Sequence, residues 1–146
     1  MSKTIKGVYV LVISATRDFR ASVGALGKVH FRKGVYTYIG SAQNNLEKRI
    51  KRHLRKAKRK FWHIDYLLAN NSAKVVRVFY VQTGKTEECK IARKLGKNGI
   101  PVVNFGCSDC RCASHLFMLK GSYDSSNSLV FDSEFYTLSP SIIMKA

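Results

Sequence analysis

Leu46, Ile50, Leu54, Ala57 and Phe61 recur at intervals of 4, 4, 3 and 4. That is one stripe of an α-helix and not the face of a strand. Asn44 and Asn45 stand before it as caps, so the spacing predicts a helix over roughly Leu46–Lys60. Off the stripe the segment is almost solidly cationic, with nine Lys/Arg among the thirteen residues 48–60 and Glu47 as the one acid beside them. A merely solvated helix face carries both signs of charge for i,i+4 pairing. A line of one sign instead fits a polyanion whose phosphates it neutralises, with release of counterions. Lys48, Lys51, Arg52, Arg55, Lys56, Lys58, Arg59 and Lys60 are therefore read as phosphate anchors. Such contacts position a nucleic acid without reading its sequence.

The rest of the chain agrees with a basic binding protein. It has 146 residues, 45% of them apolar, enough for one compact domain and too many for global disorder. The net charge is +17, which calls for a polyanionic partner: DNA, RNA or an anionic membrane. The longest apolar run, Val8–Ile13, is far short of a spanning helix. No cleavable leader is apparent, and three of the four cysteines are bunched at 107, 110 and 112, unlike a secreted disulfide framework. The expectation is a cytoplasmic, intracellular protein that does not engage membranes. Of the 26 Lys/Arg, 25 lie in residues 1–120. The division expected is a domain over 1–120 and a Ser-rich C-terminal extension over 121–146. The extension is either a strand pair around Leu129–Phe131 and Phe135–Leu138, packed on the domain, or partly disordered.

Gly7–Ser14 and Gly34–Gly40 read as strands rich in β-branched and aromatic residues. Val23–Phe31 reads as a strand or hairpin with bends at Gly24 and Gly27. A short helix or turn is expected over Trp62–Leu68, a strand over Val75–Val81, and a helix over Thr86–Leu95 with Thr86 as cap and Gly96 as stop. Val102–Phe105 and Ser114–Leu119 are candidate short strands. The class is α+β, with a small central sheet flanked by helices.

Gly7-Val8-Tyr9 on one strand, Tyr38-Ile39-Gly40 on another, Arg49 and His53 on the following helix, Glu88 opening a later helix and Asn104 beyond it resemble, in that order, the motif of the GIY-YIG nuclease superfamily. The runs Tyr38–Ala42, Trp62–Leu68 and Ser108–Phe117 are similar to one branch of it. That branch is long catalogued as a domain of unknown function and occurs alone or fused to a DNA-repair glycosylase of the endonuclease III type. The resemblance covers about residues 5–119; the ordered set carries it, and no single tripeptide does. It implies a small, three-stranded, largely antiparallel sheet with helices around it. It also implies hydrolysis of a phosphodiester assisted by one divalent ion. By resemblance Glu88 would hold Mg²⁺ or Mn²⁺ and Arg49 would stabilise charge on the phosphate. Tyr9, Tyr38 and His53 would orient or deprotonate the attacking water. The separation of Tyr9 from Tyr38 is longer than in most members, and the extra segment, Arg17–Lys33, has its own hairpin pattern.

The residues can be weighed without the family. Arg49 and His53 are four apart, share a helix face and adjoin the stripe of Leu46, Ile50 and Leu54, so both belong at the edge of a sheet and not in open solvent. An arginine offers phosphate a fixed fork that lysine cannot copy. Glu87 and Glu88 are adjacent. At 100° per residue, Ile91, Ala92 and Leu95 centre within about 15° of Glu88 and nearly 90° from Glu87. Glu88 thus faces inward, where a carboxylate needs a cation, and Glu87 complements the helix dipole. Residues 1–120 hold only Asp18, Glu47, Asp65, Glu87, Glu88 and Asp109 as acids, too few and too scattered for a two-metal site. A tyrosine base near neutral pH needs a strong cationic field, which Arg49 and the basic helix are placed to supply.

Gly40, His63, Asp65, Asn104, Asp109 and His115 are further candidates, for the site itself or for its packing. Phe61 and Trp62 are expected in the core rather than stacked on a base. Cys107, Cys110, Cys112 and His115 make a C-x2-C-x-C-x2-H run. Soft ligands of that kind can hold zinc, but structural zinc sites usually join two distant elements and this is one compact run. Zinc is therefore disfavoured against buried thiols and a polar network. The function expected is a metal-dependent endonuclease acting on nucleic acid, most plausibly DNA in repair or processing, with other DNA-repair proteins as candidate partners. The alternative is a non-catalytic DNA- or RNA-binding module that keeps the nuclease fold.

Overall fold

The computed structural model describes residues 5–56, 58–106 and 112–120, with the backbone of 136–138. Gly7–Ala15 (β1) leads into a hairpin of Phe19–Ser22 (β2) and Lys28–Phe31 (β3), joined through a short 3₁₀ turn at Gly24–Leu26. Gly34–Ala42 (β4), Leu46–Leu54 (α1), His63–Leu68 (α2), Ala73–Val81 (β5), Glu87–Gly96 (α3), Gly99–Pro101 (β6), Leu116–Leu119 (β7) and Tyr136–Leu138 (β8) follow. The main sheet has six strands in the order β6-β7-β4-β1-β5-β8, and each of its pairings is antiparallel. The α+β class is as expected; the sheet is twice as wide as the three strands that the resemblance implies. Among the described residues no helix is long and apolar enough to cross a membrane.

β1 is central and covered on both faces, which its nearly unbroken apolar sequence requires. Tyr9, Leu11, Ile13 and Ala15 enter one cluster, with Leu46 and Ile50 of α1, Ile64, Leu67 and Leu68 of α2, and Val23 and Phe31 of the hairpin segment. Val8 and Val10 enter a second cluster, with Ile91, Ala92 and Leu95 of α3. The period of two in β1 thus sorts its side chains between two helical layers. The segment Arg17–Lys33 is the hairpin expected.

Helix α1 is shorter than the apolar stripe predicts. Asn45 caps it, its side chain accepting the Lys48 amide at 3.1 Å, but Arg55 is already extended. Beyond Leu54 a helix would stack like charges four apart, Lys51 with Arg55, Arg52 with Lys56 and Arg55 with Arg59, each destabilising. Lys58 turns back instead and donates to the carbonyls of Arg52 and His53 at 3.0 and 2.8 Å, satisfying orphan groups at the helix end. Phe61, the last residue of the stripe, is 69% exposed.

Other boundaries also move. Thr86 makes no side-chain cap bond and Gly96 is inside α3 rather than its stop. The short strand expected over Val102–Phe105 falls instead at Gly99–Pro101, and the next begins at Leu116 rather than Ser114. Tyr136–Leu138 pairs with β5 at the edge of the main sheet, so the chain beyond residue 120 returns to that sheet; Leu129–Phe131 lies outside the described residues.

One buried carboxylate joins α1 to α2. Asp65 accepts from both Arg52 Nη atoms, at 2.8 and 2.9 Å, and from the Phe61 and Trp62 amides at 2.8 and 2.9 Å. Burial alone would raise its pKa; the four donors prevail and hold it at about 2. Asp65→Ala should cost about 3 kcal/mol by leaving Arg52 and two amides without their acceptor. Chemical denaturation at neutral pH measures this, and a loss under 0.5 kcal/mol would show that the clamp is dispensable.

Candidate active site

The two motif strands place their tyrosines by register. Tyr9 lies opposite Gly40 across the β1–β4 pairing, and Leu11 opposite Tyr38. Tyr9 leans over Gly40 so closely that a Cβ there would collide with the phenol. Glycine at 40 is therefore the condition for the Tyr9 side chain to lie where it does. Gly7 has a similar explanation, since a Cβ at 7 would strike the Val81 carbonyl of β5.

A cleft of about 590 Å³ opens over this end of the sheet. Tyr9, Tyr38, Gly40 and Ser41 form its floor, Arg49 comes from α1, and Trp62, His63 and Tyr66 come from α2 and its entry. Glu88 from α3, Lys85 before it, Gly24 and Ala25 of the hairpin turn, and Gly106 complete the lining with Phe61. Tyr9, Tyr38, Arg49 and Glu88 thus meet in one cleft, drawn from four elements. Glu88 is the one carboxylate among the described lining residues, as the helical geometry of α3 predicts.

His53 stands behind this surface. It is buried, and its Nε2 lies 2.6 Å from the Tyr9 hydroxyl. Its ring packs against Tyr38 and Trp62 at centroid distances of 6.2 and 6.1 Å. Burial, reinforced by the Lys58 charge, pulls its pKa down to about 3, so the imidazole is neutral. Nδ1 has no hydrogen-bond partner among the described residues. Burial also raises the Tyr9 and Tyr38 pKa values above their ordinary range; Arg49 opposes the shift at both without cancelling it. The cationic field expected to turn a tyrosine into a base is thus outweighed by desolvation. Both phenols keep their protons and act as hydroxyl groups.

Arg49 donates to the Ser41 carbonyl at 3.2 Å, and its guanidinium stacks 4.4 Å from the Trp62 ring centre, as does that of Arg52. Trp62 is 39% exposed at the cleft mouth, not in the core. Phe61 beside it is likewise at the surface, with Arg59 over its ring. These two aromatics, Ser41, Tyr66 and Lys85 are lining residues that sequence reasoning did not place at the site. The mixture of arginine and aromatic residues in 59–62 was the available signal.

Several anchors have internal tasks. Arg52 is taken by Asp65. Lys56 donates to the carbonyls of Leu68, Asn70 and Ala73 at 2.8, 3.1 and 2.6 Å, and Lys58 closes α1. Burial lowers the pKa of Lys58 to about 8. Lys48, Arg55, Arg59 and Lys60 stay exposed and Lys51 half-buried. The stretch thus divides into cations that build the connector and cations that face outward.

The remaining candidates separate too. His63 lines the cleft, and its Nδ1 accepts the Gly106 amide at 2.9 Å, which leaves Nε2 to carry the proton. Asp65 is wholly buried and structural. Asn104 is exposed, has a positive φ of 66° and donates its amide to Ala113 at 2.9 Å. It shapes a turn and does not line the cleft. Asp109, Cys107 and Cys110 lie outside the described residues. His115 is buried, and its Nδ1 lies 3.1 Å from Glu88 Oε1. Cys89, which the sequence reading passed over, brings its sulfur together with that of Cys112 and a ring nitrogen of His115, all within 4.8 Å of one another.

An antiparallel sheet carrying a cleft lined by Tyr9, Tyr38, Arg49 and Glu88 defines a small α+β domain with a polar site. Residues 8–133 match the family described as a domain of unknown function, DUF123, and the chain belongs to that family. No curated protein and no solved structure matches it.

The neutral state of His53 has a consequence for acid stability. An unfolded histidine takes up a proton near pH 6.5, whereas folded His53 resists until about pH 3. The unfolded chain therefore binds more protons in this window, and stability falls as the pH falls. From pH 6.5 to 4.5 the contribution of His53 to this loss should be roughly 2 kcal/mol. Urea unfolding should show a flatter pH dependence for His53→Gln than for the wild type over that interval. Parallel curves would refute the assignment.

Proposed function

We propose that this protein is a metal-assisted endonuclease of the GIY-YIG type, acting on nucleic acid and most naturally on DNA in repair or processing. One observation carries the reading: Tyr9, Tyr38, Arg49 and Glu88, scattered in sequence, line one cleft, and binding a polyanion by charge alone requires no such set.

The donor set fits one hard divalent ion. Glu88 supplies a carboxylate at the cleft wall, and Mg²⁺ or Mn²⁺ is commonly held by one or two carboxylates with water in most other positions. When bound there, such an ion supplies Lewis-acid activation of water and neutralises phosphate charge. The chain's own residues supply the rest. Arg49 is fixed by Ser41 and Trp62 and presents its guanidinium to the cleft, where a phosphate that gains charge would be met by a preorganised donor. Tyr9, braced by His53, and Tyr38 present oriented hydroxyls able to hold a nucleophilic water. Their raised pKa values make orientation their task in the resting cleft, with proton transfer left to the water and its surroundings. His63 Nε2–H is a further donor toward a bound phosphate. The exposed cations at 48, 55, 59 and 60 and the aromatic faces of Phe61 and Trp62 offer a path for the flanking strand.

The experiment is cleavage of single-stranded, duplex and branched DNA, and of RNA, in Mg²⁺ or Mn²⁺. Glu88→Ala and Arg49→Ala should each lower the rate by about 100-fold or more while retaining most of the affinity. Wild-type protein that binds but cuts none of these substrates, or variants that cut as fast, would turn the reading toward a binding module. In binding assays, Lys60→Ala should weaken affinity and lower the salt slope by about one ion, whereas Lys56→Ala should act mainly on stability. Equal salt slopes for Lys60→Ala and wild type would remove Lys60 from the interface.

A further inference from the structure

We infer that Cys89, Cys112 and His115 form a zinc site, distinct from the cleft and placed directly behind Glu88. The sulfurs of Cys89 and Cys112 and a ring nitrogen of His115 lie within 4.8 Å of one another. Ligand atoms of a tetrahedral zinc ion, with Zn–S near 2.3 Å and Zn–N near 2.0 Å, stand roughly 3.5–4 Å apart. Only a small contraction separates these three ligand atoms from the spacing of a zinc shell. The two cysteines are not joined as a disulfide.

The chemistry of the set selects the metal. Two thiolates and an imidazole are soft and borderline donors, suited to zinc and poorly suited to Mg²⁺ or Ca²⁺. The second sphere is also present. His115 Nδ1 lies 3.1 Å from Glu88 Oε1, so an ion held through Nε2 would have the carboxylate on the opposite ring nitrogen. A carboxylate on the other nitrogen of a ligating histidine fixes its tautomer and raises its basicity. Three of the four ligands of a tetrahedral ion are thus found among the described residues.

The compact cysteine run alone argued against zinc because it lacked a distant second element. The fold supplies one, since α3 brings Cys89 to the segment that enters β7. An ion there would pin that segment to α3. It would also orient Glu88 through His115, so a thiophilic metal would position the residue proposed to hold the catalytic one. The zinc content does not depend on whether the protein cuts nucleic acid.

The test is metal analysis of protein purified under reducing conditions without chelator. About one zinc per chain is expected in the wild type, falling below a tenth in Cys89→Ser and in Cys112→Ser, with folding checked by circular dichroism. Cobalt substitution of the wild type should give a thiolate-to-metal charge-transfer band, which loses about half its intensity in folded Cys89→Ser. Should the variants fail to fold, zinc-edge X-ray absorption of the wild type decides, with two sulfur neighbours expected. Zinc-free wild-type protein, full zinc retention in Cys89→Ser, a metal shell without sulfur or with four sulfurs, or a Cys89–Cys112 disulfide in place of metal would overturn the proposal.

Discussion

The Asp65 carboxylate is the contact on which the cleft depends. It is fully buried, and its four bonds come from a helix on one side and from the amides that open the next helix on the other. Removed from water, it would be costly without those donors. With them it fixes where the chain turns after α1, and so where Trp62, His63 and Tyr66 stand over the sheet. Trp62 in turn braces Arg49. A structural ion pair with no direct view of the cleft thereby determines the position of the guanidinium in it.

This arrangement changes the meaning of the basic run. Charge density alone made all its cations look alike. Their distinction is one of reach: Lys56 and Lys58 lie where their side chains meet backbone carbonyls at helix ends. Lys56 serves three carbonyls at the far end of α2 and beyond, and Lys58 serves two at the end of α1. What is left for a ligand is a narrower set beside two surface aromatics. That surface combines charge with stacking area instead of charge alone.

Much of the fold was legible because short-range patterns decide it. The uninterrupted apolar β1, the alternating β4 and the inward face of Glu88 in α3 followed from residue patterning, and the hairpin insertion from its glycine bends. The misses share a cause. The end of α1 is set by repulsion among cations and by Lys58 reaching back, and Phe61 lost its place on the stripe once the helix stopped. The protonation of Tyr9 and Tyr38 depends on desolvation, a property of the packed state that no sequence pattern displays. Cys89 was invisible for a topological reason, since nothing local to α3 says that β7 will begin beside it. Motif order singles out Tyr9, Tyr38, Arg49 and Glu88 together with His53 and Asn104, which do not line the cleft; the meeting of the first four in space comes from the β1–β4 register and from α1 and α3 lying on opposite faces of the sheet.

That register gives the cleft a particular kind of cooperativity. Tyr9 can occupy its place only while Gly40 is directly opposite, and that pairing lies within a ladder joining nine residues of β1 to nine of β4 at the centre of the sheet. A slip by one residue would set a side chain under the phenol and turn the side chains of the slipped strand to the opposite face. The floor of the cleft therefore has no partly assembled form of its own: its geometry is a property of the whole sheet, made and lost with it.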